Sequence, residues 1–289
     1  MNFFQNLIQR QVRTLVGSSA PQLDAPKGDP GLLGPESVAW RVHGDFTAMM
    51  IGGVTALLLQ MLHPKALAGV WDHSGFRDDM IGRLKRTAQY IAGTTYGPTD
   101  EAEKLLDRVK LVHDQVEGTL PDGSSYSAND PHLLTWVHVA EVSSFLQAYL
   151  RYCDPHLSRL DQDRYFAEVA LFAKRLGAKD VPVTRTDVDA YLTHMQPELR
   201  YDARTREVAS VLLSQPAPTI LLRPFRDVTM DAAIDLLPSW AATMHGLDLS
   251  SRRRQLARVG ARSIRAVMKP ALRDTPATRA RRRVEGQSL

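Results

Sequence analysis

The stretch TAMMIGGVTALLLQMLH, from Thr47 to His63, carries apolar residues on nearly every side of a helix. A helix without a polar face has to be enclosed by other helices, so the rest of the chain is read as its wrapping. With 289 residues, 44% of them hydrophobic, the chain can build that wrapping as one large helical domain. The run is shorter than the roughly 20 apolar residues a bilayer span needs. Gly52 and Gly53 each forgo about 1 kcal/mol of helix propensity. Their presence predicts a close approach by another backbone or by a flat ligand. Pro64 predicts a bend or an end after His63.

Working outward, regular structure begins at Glu36 behind Pro35, with His43 and Asp45 ahead of the apolar run. Lys65 to Val70 continues as a short helical piece, and Trp71 to Gly75 reads as a loop. Asp79 to Tyr96 reads as a helix with an apolar arc of Met80, Ile81, Leu84, Ala88 and Ile91. Arg83 and Thr87, four residues apart at the edge of that arc, are expected to project into the same space.

Glu101 to Gly118, opened by Thr99, gathers Ala102, Leu105, Leu106, Val109, Val112 and Val116 on one arc, with His113 near its centre. Leu120 to Asp130 is turn-rich. Pro131 to Cys153 reads as a helix whose apolar face includes Val137, His138, Glu141 and Phe145. His138 and Glu141, three apart, are expected to satisfy each other. Asp161 to Leu176, Thr186 to Met195, Ala203 to Ser214 and Met230 to His245 read as four further helices. No period-2 alternation marks a strand, so the fold class is all-α.

The charge is unevenly placed. From Ser251 onward there are 12 Lys/Arg against 2 Asp/Glu; before it there are 24 against 30. The division expected is an N-terminal amphipathic helix and linker over 1–35, a helical body over 36–250, and a basic helix with a disordered tail over 251–289. In the first segment Phe4, Leu7, Ile8, Gln11 and Leu15 make the amphipathic face, and Gly17 to Pro35 the linker. In the last, Leu256, Val259, Ile264 and Val267 oppose a face of arginines over Ser251 to Met268. The apolar residues at the start are broken by Gln5, Asn6, Gln9 and Arg10, so no export signal is read and a cytoplasmic location is expected. The single cysteine, Cys153, excludes a disulfide framework and cysteine-cluster metal sites.

Several chemistries are absent from the motifs. There is no phosphate-binding glycine loop, no dinucleotide fingerprint, no nucleophile elbow and no HExxH. A carboxylate-bridged di-iron bundle needs two Glu-x-x-His pairs, whereas His138-x-x-Glu141 occurs once and in reverse order. A haem site needs only an axial imidazole, an apolar slot and a polar group or two. His113, the Gly52–Gly53 helix, Arg83 and Thr87 offer those parts. Each has a plainer reading beside it: a hydrogen-bonded core histidine, a salt-bridging arginine, a half-buried threonine. The basic terminal helix carries no recognised DNA-binding module, and the body is mildly acidic, so no nucleic acid partner is expected.

Taken in order, GGVTALLLQMLHPKALAGVWDHSGF, RLKRTAQYIAGTTYG, VKLVHDQVEG and YSANDPHLLTWVH resemble the latex-clearing-protein and MpaB-type oxygenase family over about Val38 to Leu247. The resemblance implies a single globin-like helical domain holding haem b, with His113 as the axial ligand to iron. It implies catalytic roles for Arg83, Arg86 and Thr87 on the distal side. The residues expected around the cofactor are then His113, Arg83, Thr87, Gly53, Val109 and His138. Asp72 or His73 falls near the position of the distal glutamate of rubber-cleaving members. The function expected is a haem-dependent oxidoreductase acting on a hydrophobic small molecule with O2 or a peroxide. A non-catalytic haem or hydrophobic-ligand carrier or sensor, and a helical interaction module, stand as alternatives. Peripheral membrane contact through the basic helix, and a homodimer, are left open.

Overall fold

A computed structural model of the chain describes residues 22–217, 219–272 and 274–286. The expected N-terminal amphipathic helix lies outside them. The described residues form thirteen α-helices and one small hairpin. α1 (Val38–His43) starts at Ser37, whose side chain accepts from the Trp40 amide. α2 (Phe46–Gln60) starts at Asp45, which caps the Ala48 amide at 3.0 Å. α3 (Pro64–His73) leaves α2 at 104°, the bend Pro64 predicts. His63 becomes the N-cap of α3, its Nδ1 accepting from the Lys65 amide at 3.2 Å. No single described helix is long and apolar enough to cross a membrane.

α4 (Met80–Tyr96) and α5 (Thr99–His113) follow as a pair. α5 is shorter than its periodicity suggests. It ends at His113, and Leu111 and Val112 are exposed. Val116 and Gly118 lie beyond it, Gly118 in a hairpin of β1 (Glu117–Thr119) and β2 (Ser125–Ser127), paired Gly118 to Tyr126. Strands of three residues are too short to show an alternation, which is why the sequence reads as helix and loop there.

α6 (Pro131–Tyr152) is capped by Asp130. It lies antiparallel along α2 in the most extensive helix contact of the molecule. Trp136 Nε1 donates to the Gln60 carbonyl at 3.3 Å and Gln60 Nε2 to the Val137 carbonyl at 3.0 Å. At the other end Gly52 admits the α6 backbone: a Cβ there would stand 3.0 Å from the Ser144 oxygen.

α7 (Arg159–Leu176), α8 (Arg185–Met195) and α9 (Ala203–Leu213) continue the shell. The stretch expected as one helix over 230–245 is two, α10 (Arg223–Leu236) and α11 (Ser239–His245), because Pro238 breaks it. α10 and α11 close over α2. Thr55 Oγ1 donates to the Ala233 carbonyl at 2.9 Å, and His245 Nε2 bonds the Leu58 carbonyl at 2.9 Å.

α12 (Ser251–Ala271) packs on α10 and α2. Leu256, Val259 and Val267 are exposed. Arg253, Arg258 and Arg265 reach into the body, to Asp231, Asp235 and Asp45. Long guanidinium side chains can span to carboxylates that short apolar ones cannot replace. The tail expected to be disordered forms α13 (Pro276–Val284). Arg283 anchors it, fully buried and bonded to the carbonyls of Leu23, Asp29 and Tyr96 at 2.7–2.9 Å. The described part of the N-terminal arm is likewise docked. Leu23 is buried with Trp40 and Tyr96, and the Asp29 carboxylate accepts from the Thr99 amide and hydroxyl at 2.9 Å each.

Candidate functional site

Two cores meet inside the molecule, one built on α2, α3, α10, α11 and α12, the other on α1, α6 and α7. Their common fringe is a set of apolar side chains that are only partly buried. Leu57, Leu84 and Val137 belong to the first core; Met49, Tyr90 and Ile91 belong to the second. On α2 the residues with residual exposure are Phe46, Met49, Met50, Gly53 and Leu57, a single helical stripe, while every other position from Thr47 to Gln60 is buried. A Cβ added at Gly53 would meet nothing nearer than Phe145 Cε1 at 4.0 Å. Gly53 therefore has room for a Cβ where Gly52 faces backbone.

α4 forms the opposite wall. It is buried at Met80 and over Gly93 to Tyr96, while Ile81, Leu84, Ala88 and Ile91 keep exposure along its apolar arc. The arc expected to pack against the core thus stands off from it. α5 adds Val109 and His113, both partly buried. From these partly buried residues we infer an apolar slot bordered by α2 and α6 on one side and α4 and α5 on the other.

Four polar groups on these walls have no hydrogen-bond or ion-pair partner among the described residues. Neither ring nitrogen of His113 is bonded, and its Nδ1 is sealed from solvent. Burial lowers its pKa, so the ring is neutral near pH 7 with one lone pair free. His138 and Glu141 sit one turn apart on α6. Both are enclosed by protein, yet both keep some accessible surface, as groups lining an internal gap do. They are not paired with each other, contrary to expectation. Desolvation alone pushes His138 down to about 4 and Glu141 up to about 7. Tyr90 of α4 is near enough to Glu141 for the carboxylate to add to the upward shift that burial gives its phenol. The fourth group is Arg83. Burial lowers its pKa, with Arg86 as a secondary cause, and no acid neutralises it.

Arg86 and Thr87 do not join this set. Arg86 is exposed and paired with Asp79 at 3.3 Å. Thr87 is exposed, and its hydroxyl donates to the Arg83 carbonyl at 3.2 Å. Asp72 and His73 also lie elsewhere: Tyr126 OH donates to Asp72 at 2.6 Å and meets His73 Nε2 at 3.1 Å, which ties the hairpin to α3. Glu141 is the group whose unpaired state the sequence concealed. It was visible on an apolar face, but adjacency to His138 suggested a structural pair.

The other histidines lie apart from this set; His245 keeps Nδ1 unpaired but is bonded through Nε2 to the Leu58 carbonyl. His43 is held at both nitrogens, by Thr95 Oγ1 at 2.9 Å and Tyr165 OH at 3.0 Å. His63, His132 and Glu198 bring ligating atoms within 4.8 Å of one another. The His63 lone pair at Nδ1 is already given to the Lys65 amide. Its Nε2 then carries the proton in the neutral ring and faces Glu198 at 3.7 Å. Glu198 also takes His132 Nε2 at 3.0 Å. This cluster reads as a carboxylate between two donors rather than as a cation site. His156 and His194 are exposed.

An apolar slot with a glycine floor, two neutral unpaired imidazoles and an unpaired guanidinium fits a flat, anionic, metal-bearing ligand. Gly53 leaves room for a face, a free imidazole lone pair suits iron, and Arg83 suits a carboxylate. Residues 40–269 match the family model described as the ER-bound oxygenase mpaB/B'/rubber oxygenase, catalytic domain. No curated protein matches the chain. Among solved structures the chain is similar to that of latex clearing protein LCP in the closed state, at 15% identity and a TM-score of 0.59, over 97% of this chain and 87% of that one.

Proposed function

The chain belongs to the mpaB/B'/rubber oxygenase catalytic-domain family, and on that premise we propose that it is a haem-b-dependent oxygenase acting on a hydrophobic small molecule with O2 or a peroxide. What supports this reading is that His113, His138 and Arg83 are desolvated without partners on helices whose partly buried apolar residues border the inferred slot. Haem, when bound, supplies the oxygen and one-electron chemistry that no side chain here can supply.

In this reading His113 would hold the iron, burial favouring the neutral ring whose nitrogen lone pair can ligate it. Gly53 and Val109 border the macrocycle, and His138 lies on the α6 wall beside it. Arg83 provides a positive charge in a site of low polarity, where it is worth more than in water. It serves either a carboxylate of the cofactor or negative charge developing on the reactants. Glu141 holds a proton near neutral pH and can give it up or take it back within the slot. Leu57, Leu84 and Ile91 exclude water and provide the apolar wall for the substrate.

Reconstitution with haem tests the reading. A Soret band that shifts with CO is expected, and its loss in His113→Ala. Arg83→Ala should keep the band and lose substrate turnover. An unchanged spectrum in His113→Ala removes the ligand assignment.

A further inference from the structure

α12 turns Arg253, Arg258 and Arg265 to aspartates of the body and Leu256, Val259 and Val267 outward, and this outward face is not used by the slot. Arg253, Arg258 and Arg265 are occupied by Asp231, Asp235 and Asp45 at 2.6–2.7 Å. The outward stripe holds Leu256, Val259 and Val267, at 62%, 54% and 51% exposure. At 100° per residue these three fall within an arc of about 80°. Arg252 lies at the N-terminal end of that arc, and Arg262 and Lys269 run along one flank. All three are exposed and without an ion-pair partner among the described residues. No Asp or Glu occurs between Asp248 and Asp274.

We propose that this outward face of α12 is a docking surface for membranes bearing anionic lipid, with Leu256, Val259 and Val267 entering the headgroup–acyl boundary and Arg252, Arg262 and Lys269 at the phosphates. Charge selects this occupant over two others. A two-fold contact between copies of this helix would set its uncompensated cations against their own images. A nucleic acid would match the cations but leave the central aliphatic stripe against phosphate, with nothing to cover it. A lipid surface satisfies both parts: apolar area is buried below the headgroups while the longer cationic side chains reach back to them. The Asp45, Asp231 and Asp235 pairs hold the helix with this face outward, so the surface is preformed. The inference does not depend on the proposed haem chemistry, and its failure would leave that reading untouched.

Vesicle co-sedimentation of the full chain tests it. Binding to phosphatidylcholine vesicles containing phosphatidylglycerol should exceed binding to phosphatidylcholine alone on the order of a hundredfold, and fall with salt. Leu256→Ser/Val259→Ser/Val267→Ser should reduce it by roughly tenfold or more. Arg252→Gln/Arg262→Gln/Lys269→Gln should abolish the preference for the anionic lipid. All six positions are exposed, so both variants should keep the parent's circular dichroism and melting temperature. Equal binding to both vesicle types, or unchanged binding in either folded variant, would overturn the proposal. So would a parent that binds neither vesicle type but dimerises through these residues, as seen by light scattering.

Discussion

His138 and Glu141 stand three residues apart on α6, and neither bonds the other or any other described residue. Two polar groups on one buried face usually cancel each other's desolvation. Here both costs persist, a pattern that clusters at functional sites.

Those costs predict a pH profile for the protein without cofactor. Glu141 is raised from 4.5 to about 7 by burial. Its native form keeps a proton that the unfolded chain releases, so stability falls as pH rises from 4.5 to 7 and then levels. His43, His63 and His138 are lowered by burial from 6.5 to about 3, 4 and 4. Their contribution is intact above 6.5 and is lost as pH falls through these values. Three groups outweigh one below pH 6.5, so maximum stability should lie near there. Glu141→Gln should flatten the neutral side and raise stability at pH 8 by about 1–2 kcal/mol, allowing for the group's residual exposure. Urea midpoints at pH 5, 6.5 and 8 measure this; a parallel profile in Glu141→Gln would exclude the carboxyl as its source.

The two imidazoles on the slot give a spectroscopic prediction. With haem added, His113→Ala should lose the band, while His138→Ala should keep it with an altered position or width. The reverse outcome would move the axial assignment to α6.

Gly52 and Gly53 should respond to alanine with opposite signs. At Gly52 the new Cβ meets the Ser144 oxygen at 3.0 Å and Phe145 Cα at 3.1 Å. Overpacking against backbone should cost about 1–3 kcal/mol. At Gly53 the nearest atom is 4.0 Å away, so the gain in helix propensity, about 0.5–1 kcal/mol, should appear as stabilisation. Gly53→Leu should still fold but retain less haem on a desalting column, because the side chain enters the slot. Equal haem retention by Gly53→Leu would show that the glycine is not its floor.

Much of this arrangement was legible in the residues. The all-apolar run named the central helix, and the helices read from Asp79 and from Pro131 start where Asp79 and Asp130 cap them in the structure. What periodicity could not show is which groups find partners far away in the chain. The individual partners of the α12 arginines could not be read, because Asp45 lies 220 positions from Arg265. Thr87 shares a helix edge with Arg83, but its hydroxyl is turned back to that residue's carbonyl. Glu141 and His138 share a face, but adjacency along a helix does not oblige two side chains to meet. The last helix was hidden because its four arginines in five residues read as disorder, while the carbonyls that bury one of them, those of Leu23, Asp29, Tyr96 and Gly97, lie far earlier in the chain.

That buried arginine supports the last prediction. Arg283 donates to the carbonyls of Leu23, Asp29, Tyr96 and Gly97 and is 1% exposed. Tyr96 and Gly97 end α4, where carbonyls lack intrahelical partners and the helix dipole is negative, so a guanidinium is well placed to receive them. Removing it leaves several buried acceptors unpaired at once. Arg283→Met, which keeps the apolar stem, should therefore cost about 2–4 kcal/mol in urea unfolding. Arg283→Lys should recover only part of this, because one ammonium cannot span four oxygens in the plane of a guanidinium. Hydrogen exchange gives the local readout: in Arg283→Met the amides of Gly97 and Thr99 should lose protection before those of α2. A loss below about 0.5 kcal/mol, the range of an ordinary surface substitution, would mean that α13 is not what holds the α4–α5 corner in place.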